Sequence, residues 1–233
     1  MSPFLTWAIT FVTWAITLIA IALLIRQCRK PFGLLGRSTA RRMNARHASV
    51  TQWGLSHVRI GPAFRILDVG CGGGQTVLML ARLVNDGHVT GVDYPAASLA
   101  VARHTNAALI AAGRVAIEEA SVSALPFGDG TFDLVTAVET HYYWPNPPGD
   151  LKEIVRVLKP GGRVVIIAET YRGQRGGAVL APFMRLLGAR YQTAEQHRAW
   201  FEGAGLSDIA IDTDSAKGWM CVIASPRRPS SPA

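Results

Sequence analysis

Acidic residues are absent from the N-terminal part of this 233-residue chain, in which the first one is Asp68. Nine lysines and arginines precede Asp68, whereas the rest of the chain has 15 basic residues against 16 acidic ones. The net charge of +8 therefore belongs to the N-terminal segment. A basic surface on the following domain, which nucleic-acid binding requires, is not indicated, and we expect no nucleic-acid partner.

Cysteine is also scarce. The three cysteines, Cys28, Cys71 and Cys221, lie far apart in the chain. They form neither the close spacing of a metal site nor an even set for disulfides. We expect reduced thiols in a cytoplasmic compartment, and no bound metal.

Charge and proline are both missing from residues 4–25. About 22 helical residues extend roughly 33 Å, enough to cross the hydrocarbon core of a membrane. Arg26, Arg29 and Lys30 follow, and basic residues favour the cytoplasmic side. We therefore predict a single-pass membrane anchor with a basic flank over residues 1–30, with the N-terminus outside and the remainder in the cytoplasm. A repeated Thr-Trp-Ala-Ile-Thr segment (6–10 and 13–17) is a weak hint of helix pairing, and the oligomeric state stays open.

Residues 31–60 read as a linker followed by a helix from about residue 37, in which basic and apolar side chains alternate. Two interpretations are open. The helix could lie on anionic lipid, where each arginine near the surface contributes on the order of 1 kcal/mol. Alternatively, it caps a pocket in the following domain, and the two roles could belong to different halves.

From residue 65 the hydrophobic pattern alternates between strands and helices. Strands are predicted at 65–69, 88–93, 114–119, 132–138 and 163–169, with helices between them, including a long one at 96–112. Two closely connected strands, 207–213 and 218–224, must pair antiparallel. The pattern predicts a Rossmann-like, doubly wound α/β sheet of seven strands, mostly parallel, over residues 61–225. Residues 172–190 are interpreted as a lid, and 226–233 as a disordered tail.

Glycines occupy alternate positions directly after the first strand: Gly70, Gly72 and Gly74. A glycine turn between a strand and a helix lets bare backbone approach a nucleotide-like ligand. Asp93 ends the second strand, where a carboxylate can accept hydrogen bonds from both ribose hydroxyls. Together these features predict a cofactor that contains adenosine.

Four sequence blocks then carry a resemblance to a known family. They are Leu-Asp-Val-Gly-Cys-Gly-Gly-Gly (67–74), Gly-Val-Asp (91–93), the Leu-Pro-Phe block with its continuation (124–135), and a block ending in Leu-Lys-Pro-Gly-Gly (153–162). In this order and spacing, the chain resembles the class I S-adenosylmethionine-dependent methyltransferases. The resemblance covers about residues 60–170 and implies S-adenosylmethionine as the cofactor.

The resemblance also implies which residues contact the cofactor. Where the family often has an acidic residue for the adenine amino group, four positions before the Leu-Pro-Phe block, this chain has the uncharged Ser121. The predicted cofactor-binding residues are Asp68, Gly70, Cys71, Gly72, Gly74, Asp93, Tyr94, Ser121, Val122 and Glu139.

The acceptor side is expected after the fourth strand, where an acid, a histidine and three aromatic residues fall together. Our hypothesis is that Glu139, His141 and Tyr143 include the catalytic group, because histidine titrates near neutrality. Tyr142 and Trp144 would help to wall the pocket. In the alternative, the aromatic residues pack this loop onto the next helix and His141 lies at the surface.

The sequence therefore predicts a membrane-anchored methyltransferase that acts on a small or amphipathic acceptor. A non-catalytic cofactor-binding or scaffold protein with the same fold is the alternative, and a nicotinamide-dependent oxidoreductase is a more distant one. The accepting atom, whether oxygen, nitrogen, carbon or sulfur, is left open.

Overall fold

The computed structural model describes residues 3–227, apart from some side chains of the first helix. That helix, α1, spans Pro3–Arg29 and is followed by α2, Gly33–Leu55. Within the described residues, no helix proves long and apolar enough to span a membrane. The membrane span predicted for residues 4–25 is therefore not supported.

A seven-stranded sheet forms the centre of the molecule. Its order is β3-β2-β1-β4-β5-β7-β6, with β1 to β5 parallel and β7 antiparallel to both of its neighbours. This confirms the predicted Rossmann-like sheet. The strands are β1 (Arg65–Val69), β2 (His88–Asp93), β3 (Val115–Glu119), β4 (Phe132–Val138), β5 (Leu158–Ala168), β6 (Leu206–Asp214) and β7 (Trp219–Pro226).

Six α-helices follow α2 within residues 3–227. They are α3 (Gln75–Leu83), α4 (Ala96–Thr105), α5 (Ala107–Ala111), α6 (Pro147–Val157), α7 (Gly177–Leu186) and α8 (Ala194–Gly203). The long helix predicted at 96–112 is divided between α4 and α5 by Asn106. The side-chain amide of Asn106 donates to the carbonyl oxygens of Gly74 and Ala102, both at 3.0 Å. Asn106, at the break between the two helices, thus links the end of α4 to the glycine turn.

Two further segments have structure that the sequence analysis did not describe. The region interpreted as a lid, 172–190, contains the helix α7, and its role as a lid stays a prediction. Strand β7 continues to Pro226, one residue into the predicted tail. Residues 228–233 lie outside the described residues, so the disorder predicted for them stays a prediction.

Apolar side chains bury both faces of the sheet. One core includes Leu67, Val135 and Phe201, and the other includes Ile66, Val165 and Ile167. α2 packs on the second face through Val50 and Leu55, each worth about 1.5–3 kcal/mol when fully buried. A Cβ atom on Gly54 would lie 2.5 Å from the side chain of Ile167. Glycine therefore lets α2 approach the sheet closely, which places its middle turns over the carboxyl ends of the strands.

Candidate active site

The turn after β1 has the backbone that glycine permits. Gly70, Gly72 and Gly74 have φ angles of 71°, 53° and 80°, in the left-handed region that other residues rarely adopt. A Cβ atom at Gly70 would collide with the side chain of Thr140, and one at Gly74 would lie 2.6 Å from the amide nitrogen of Asn106. These two glycines are needed for packing inside the protein.

Gly72 is different, because a Cβ atom there would meet nothing within 4 Å. Its amide donates to Asp93 Oδ2 at 2.9 Å, and the amide of Tyr94 donates to Oδ1 at 2.8 Å. Burial raises the pKa of Asp93 to about 6. Each carboxylate oxygen can accept a second hydrogen bond. The open space over Gly72 and the anchored Asp93 carboxylate fit the ribose of an adenosine cofactor.

A cavity with about 830 Å³ of empty volume, including the part open to solvent, begins at this turn. One side, which we call the strand-end wall, comprises Gly70, Cys71, Gly72, Gly73 and Asp93. The opposite side, the α2 wall, comprises Ala40, Met43, Asn44, His47 and Thr51.

The α2 wall helps to choose between the two interpretations of the basic helix, which were contact with lipid and capping of a pocket. Asn44 Nδ2 donates to the carbonyl oxygen of Gly73 at 2.9 Å, which joins α2 to the glycine turn. Arg29 and Pro31, at the junction of α1 and α2, also line the cavity. In the structure α2 therefore caps the pocket, while contact of its basic residues with lipid stays a prediction.

Of the predicted cofactor residues, the cavity lining includes Gly70, Cys71, Gly72, Asp93, Tyr94 and Glu139. Tyr94 is 43% exposed, and its hydroxyl lies 3.4 Å from the carbonyl oxygen of Arg29. Gly74 is not in the cavity lining. Its carbonyl oxygen accepts a hydrogen bond from the side chain of Asn106, which stabilises the turn.

Asp68, Ser121 and Val122 are not among the residues that line the cavity. Asp68 is buried and accepts a hydrogen bond of 2.7 Å from Thr136, and burial raises its pKa to about 7. Val122 belongs to the core, and Ser121 lies at the surface, where its hydroxyl accepts a bond from the amide of Ser123. Contact of these three residues with the cofactor stays a prediction.

The predicted catalytic residues separate in space. Glu139 and Tyr143 line the cavity, whereas His141 is fully buried outside it. The His141 ring packs against Tyr142 and His197, at centroid distances of 4.1 and 5.0 Å, and neither ring nitrogen has a hydrogen-bond partner in the described part of the chain. Burial holds the pKa of His141 well below its usual range. The alternative that placed His141 at the surface is wrong, and its role as a base has no contact to support it.

Tyr142 and Trp144 are buried in the core, on the side of the sheet that carries α6 and α8. The alternative interpretation, in which aromatic residues of this loop pack against the protein, therefore holds for these two. Tyr142 also donates to the carbonyl oxygen of Thr170 at 2.8 Å, which fixes the loop after β4 beside the one after β5.

Glu139 has an unusual environment. Its φ angle is 58°, a strained value for a residue with a side chain. Its carboxylate accepts a hydrogen bond from the backbone amide of Glu169, and the hydroxyl oxygen of Tyr142 lies 3.4 Å from Oε1. Burial raises the pKa of Glu139 to about 7. Strain and a perturbed pKa in a cavity wall are typical of functional residues.

Residues of α2 contribute groups that the motifs did not indicate. His47 Nε2 lies 3.2 Å from Glu169 Oε2, and ligand-type atoms of His47, Glu139 and Glu169 all lie within 4.8 Å of one another. The sequence indicated Glu139 but offered no signal for His47, because α2 precedes the recognisable blocks and reaches the cavity only through tertiary packing.

Comparison with known proteins agrees with this architecture. Residues 67–166 match the family model described as a methyltransferase domain. The chain is 39% identical over 111 residues to O-methyltransferase cnsE of Penicillium expansum, covering 47% of this chain and 40% of that protein. It is 34% identical over 117 residues to the ubiquinone/menaquinone biosynthesis C-methyltransferase UbiE of Geotalea daltonii, covering 50% of each. The chain thus spans half or less of the length of these relatives.

A solved structure shares the fold. Geranyl diphosphate C-methyltransferase from Streptomyces coelicolor A3(2), determined with Mg²⁺, geranyl diphosphate and S-adenosyl-L-homocysteine, superposes with a TM-score of 0.64 at 17% identity, over 76% of this chain and 78% of that one. Residues 67–166 of the present chain therefore match a methyltransferase domain, and the chain shares the fold of this solved methyltransferase.

Proposed function

We propose that the protein transfers the methyl group of S-adenosylmethionine to a small acceptor within the cavity between the strand-end wall and the α2 wall. The observation that carries the proposal is the open space over Gly72 beside the anchored carboxylate of Asp93, both in the lining of one cavity. A ligand with a ribose fits that pair, and the rest of the cavity is left for an acceptor.

The residues of the cavity would have two roles, which are to bind the cofactor and to position the acceptor. Asp93 accepts hydrogen bonds from the ribose hydroxyls, while the bare backbone at Gly72 lets the cofactor lie close to the sheet. When bound, the cofactor supplies the reactive methyl group on its sulfonium. The protein aligns an acceptor with that methyl group and excludes water.

The lining on the acceptor side favours an acceptor that is partly apolar. Met43, Val138 and Tyr143 line the cavity together with the polar groups of Glu139 and Thr140. Relatives named for O-methylation and for ubiquinone or menaquinone biosynthesis are consistent with a ring-bearing or amphipathic acceptor. We therefore propose this class of acceptor for the present chain.

Calorimetric titration of the full chain with S-adenosylmethionine and S-adenosylhomocysteine tests the proposal. We expect Asp93→Ala to weaken binding at least about 100-fold, since two charge-assisted hydrogen bonds are lost. Asp86→Ala is the matched control, because Asp86 is exposed near the opposite end of β2 and should leave affinity unchanged.

Three outcomes separate the alternatives. Absence of binding to folded wild-type protein would reject the proposed function. Tight binding without methylation of any acceptor in membrane or small-molecule extracts would favour the non-catalytic cofactor-binding protein. Transfer of a labelled methyl group supports the enzyme. The cytoplasmic location predicted from the sequence remains a separate prediction, which cell fractionation can test.

A further inference from the structure

We propose that His47, held by Glu169, is the base that removes the proton from a hydroxylated aromatic acceptor. This inference rests on the proposed methyl transfer and names both its base and its acceptor class. His47 lies on α2, outside the matched methyltransferase domain, which covers residues 67–166.

The first argument is the geometry of the pair. His47 lines the cavity, and its Nε2 atom lies 3.2 Å from Glu169 Oε2. Glu169 follows the carboxyl end of β5, so two elements distant in the chain meet at this point. Arg46 holds the other oxygen of Glu169 through contacts of 3.1 and 3.2 Å. The carboxylate is therefore fixed from two sides and orients the imidazole.

The second argument is the state of the ring. When Nε2–H donates to Glu169, the neutral ring carries its lone pair on Nδ1. The hydrogen bond from His47 is also the main reason that the pKa of Glu169 lies below its usual range. Glu169 is thus ionised at neutral pH and can stabilise the imidazolium that forms when Nδ1 takes a proton.

The charged and titratable groups around His47 come from three elements. Arg46 lies on α2, Glu139 follows β4, and Glu169 follows β5. Burial raises the pKa of Glu139 to about 7. A neutral Glu139 can donate a hydrogen bond to an acceptor oxygen, whereas Glu169 faces the imidazole as an anion. The two carboxyl groups therefore have different tasks.

This arrangement selects the acceptor. Tyr143 and Met43 provide an apolar surface next to His47 in the cavity, which suits an aromatic ring. A phenolic hydroxyl has a pKa near 10, so it is protonated at neutral pH and needs a base before it becomes a good nucleophile.

The transfer balances in atoms and charge. The acceptor oxygen forms a bond to the methyl carbon while the carbon–sulfur bond breaks, and that electron pair stays on sulfur. The hydroxyl proton goes to Nδ1 of His47. The positive charge lost at the sulfonium is thus matched by an imidazolium beside Glu169, which releases its proton to solvent after the product leaves.

Methylation of a series of phenols by the full chain tests the inference. The series spans hydroxyl pKa values from about 7 to 10. We expect His47→Gln to lower kcat about 100-fold for the least acidic phenols. The deficit should shrink for phenols that are already ionised at the assay pH. His57→Gln is the matched control, because His57 also faces a carboxylate, Asp212 at 3.6 Å, but does not line the cavity.

A second readout does not depend on turnover. The ring nitrogens of His47 are observed by ¹⁵N NMR in the S-adenosylhomocysteine complex, with and without Glu169→Gln. Loss of the carboxylate should shift the Nε2 signal, because this nitrogen loses the carboxylate oxygen that lies 3.2 Å away. Identical Nε2 signals in the two proteins would contradict the pairing.

Three other outcomes would contradict the role of His47 while leaving the proposed methyl transfer intact, and a fourth would reject both. An equal loss in His47→Gln across all phenols would indicate a structural role, and no methylation of any phenol by protein that binds the cofactor would exclude this acceptor class. Activity abolished by EDTA and restored by Mg²⁺ or Mn²⁺ would mean that His47, Glu139 and Glu169 bind a metal instead. Failure to bind S-adenosylmethionine at all would reject the proposed function itself.

Discussion

The strand-end wall of the cavity presents backbone and carboxylate groups, whereas the α2 wall presents side chains. Gly70 and Gly72 need the left-handed backbone, and the amides of Gly72 and Tyr94 hold the carboxylate of Asp93. By contrast, α2 is held by apolar burial and by the close approach at Gly54, and it brings Asn44 and His47 to the cavity.

The difference indicates how the two walls divide the function. A wall made of backbone tolerates little substitution, because nearly every added atom meets protein or ligand. A wall made of helix side chains keeps the same fold while its chemistry changes from one residue to the next. The cofactor is therefore expected on the strand-end wall, and the choice of acceptor on the α2 wall.

The largest expected effect comes from adding one methyl group to the strand-end wall. Gly72→Ala would place a Cβ atom in the open space over the turn. We expect binding of S-adenosylhomocysteine to weaken more than about 100-fold, since the cofactor would lose its contact with the backbone. Calorimetric titration of the full chain measures this.

Gly113→Ala is the matched control for Gly72→Ala. Its φ angle is 68°, against 53° at Gly72, and a Cβ atom there also meets nothing within 4 Å, but Gly113 is not in the cavity lining. Both variants should lose about 1 to 2 kcal/mol of stability from backbone strain. Equal affinity in the two variants would show that the open space at Gly72 is not used by the cofactor.

A change of pH should alter cofactor affinity through Asp93 on the strand-end wall, by less than Gly72→Ala does. The pKa of Asp93 is about 6 because the group is buried. Only about one tenth of such a carboxyl is ionised at pH 5, and the protonated form accepts fewer hydrogen bonds. Affinity for S-adenosylhomocysteine should therefore rise about tenfold from pH 5 to pH 7. If Asp93 causes the change, calorimetry on Asp93→Asn gives a flat profile. The same slope in that variant would assign the change to another group, such as Glu139.

Much of the strand-end wall could be predicted from sequence, for a physical reason. Its groups are local: Gly70, Gly72 and Gly74 follow β1 directly, and Asp93 ends β2, so a reading of strand ends finds them. The parallel direction of β1 to β5 and the antiparallel pairing of the last two strands followed from the same periodic pattern and short connections. The order of the strands in the sheet was not predicted and comes from the structure.

The α2 wall could not be predicted in this way. Position along the chain does not indicate that His47 lies beside Glu169, since the contact requires α2 to pack on the completed sheet. For His141 the prediction failed in the opposite direction. Its position after β4 suggested a side chain in the cavity, but the ring packs inward against Tyr142 and His197. A residue's place after a strand indicates a loop but not the direction of its side chain.

The smallest expected effect on cofactor affinity comes from the hydrogen bond that joins the two walls. Asn44→Ala removes the 2.9 Å hydrogen bond to the carbonyl oxygen of Gly73. Such a bond is worth about 1 kcal/mol, so we expect cofactor affinity to fall about fivefold. Thr39→Ala, on the same helix, removes only an exposed bond to the carbonyl oxygen of Leu35 and serves as the control.

The result for Asn44→Ala decides how independent the walls are. If α2 only covers the cavity, methylation should lose no more than cofactor binding does, because the acceptor side is unchanged. If turnover falls further than affinity does, the contact with Gly73 also sets the position of His47, one turn away on α2. In that case the helix transmits the state of the glycine turn to the acceptor, and the two walls act as one unit.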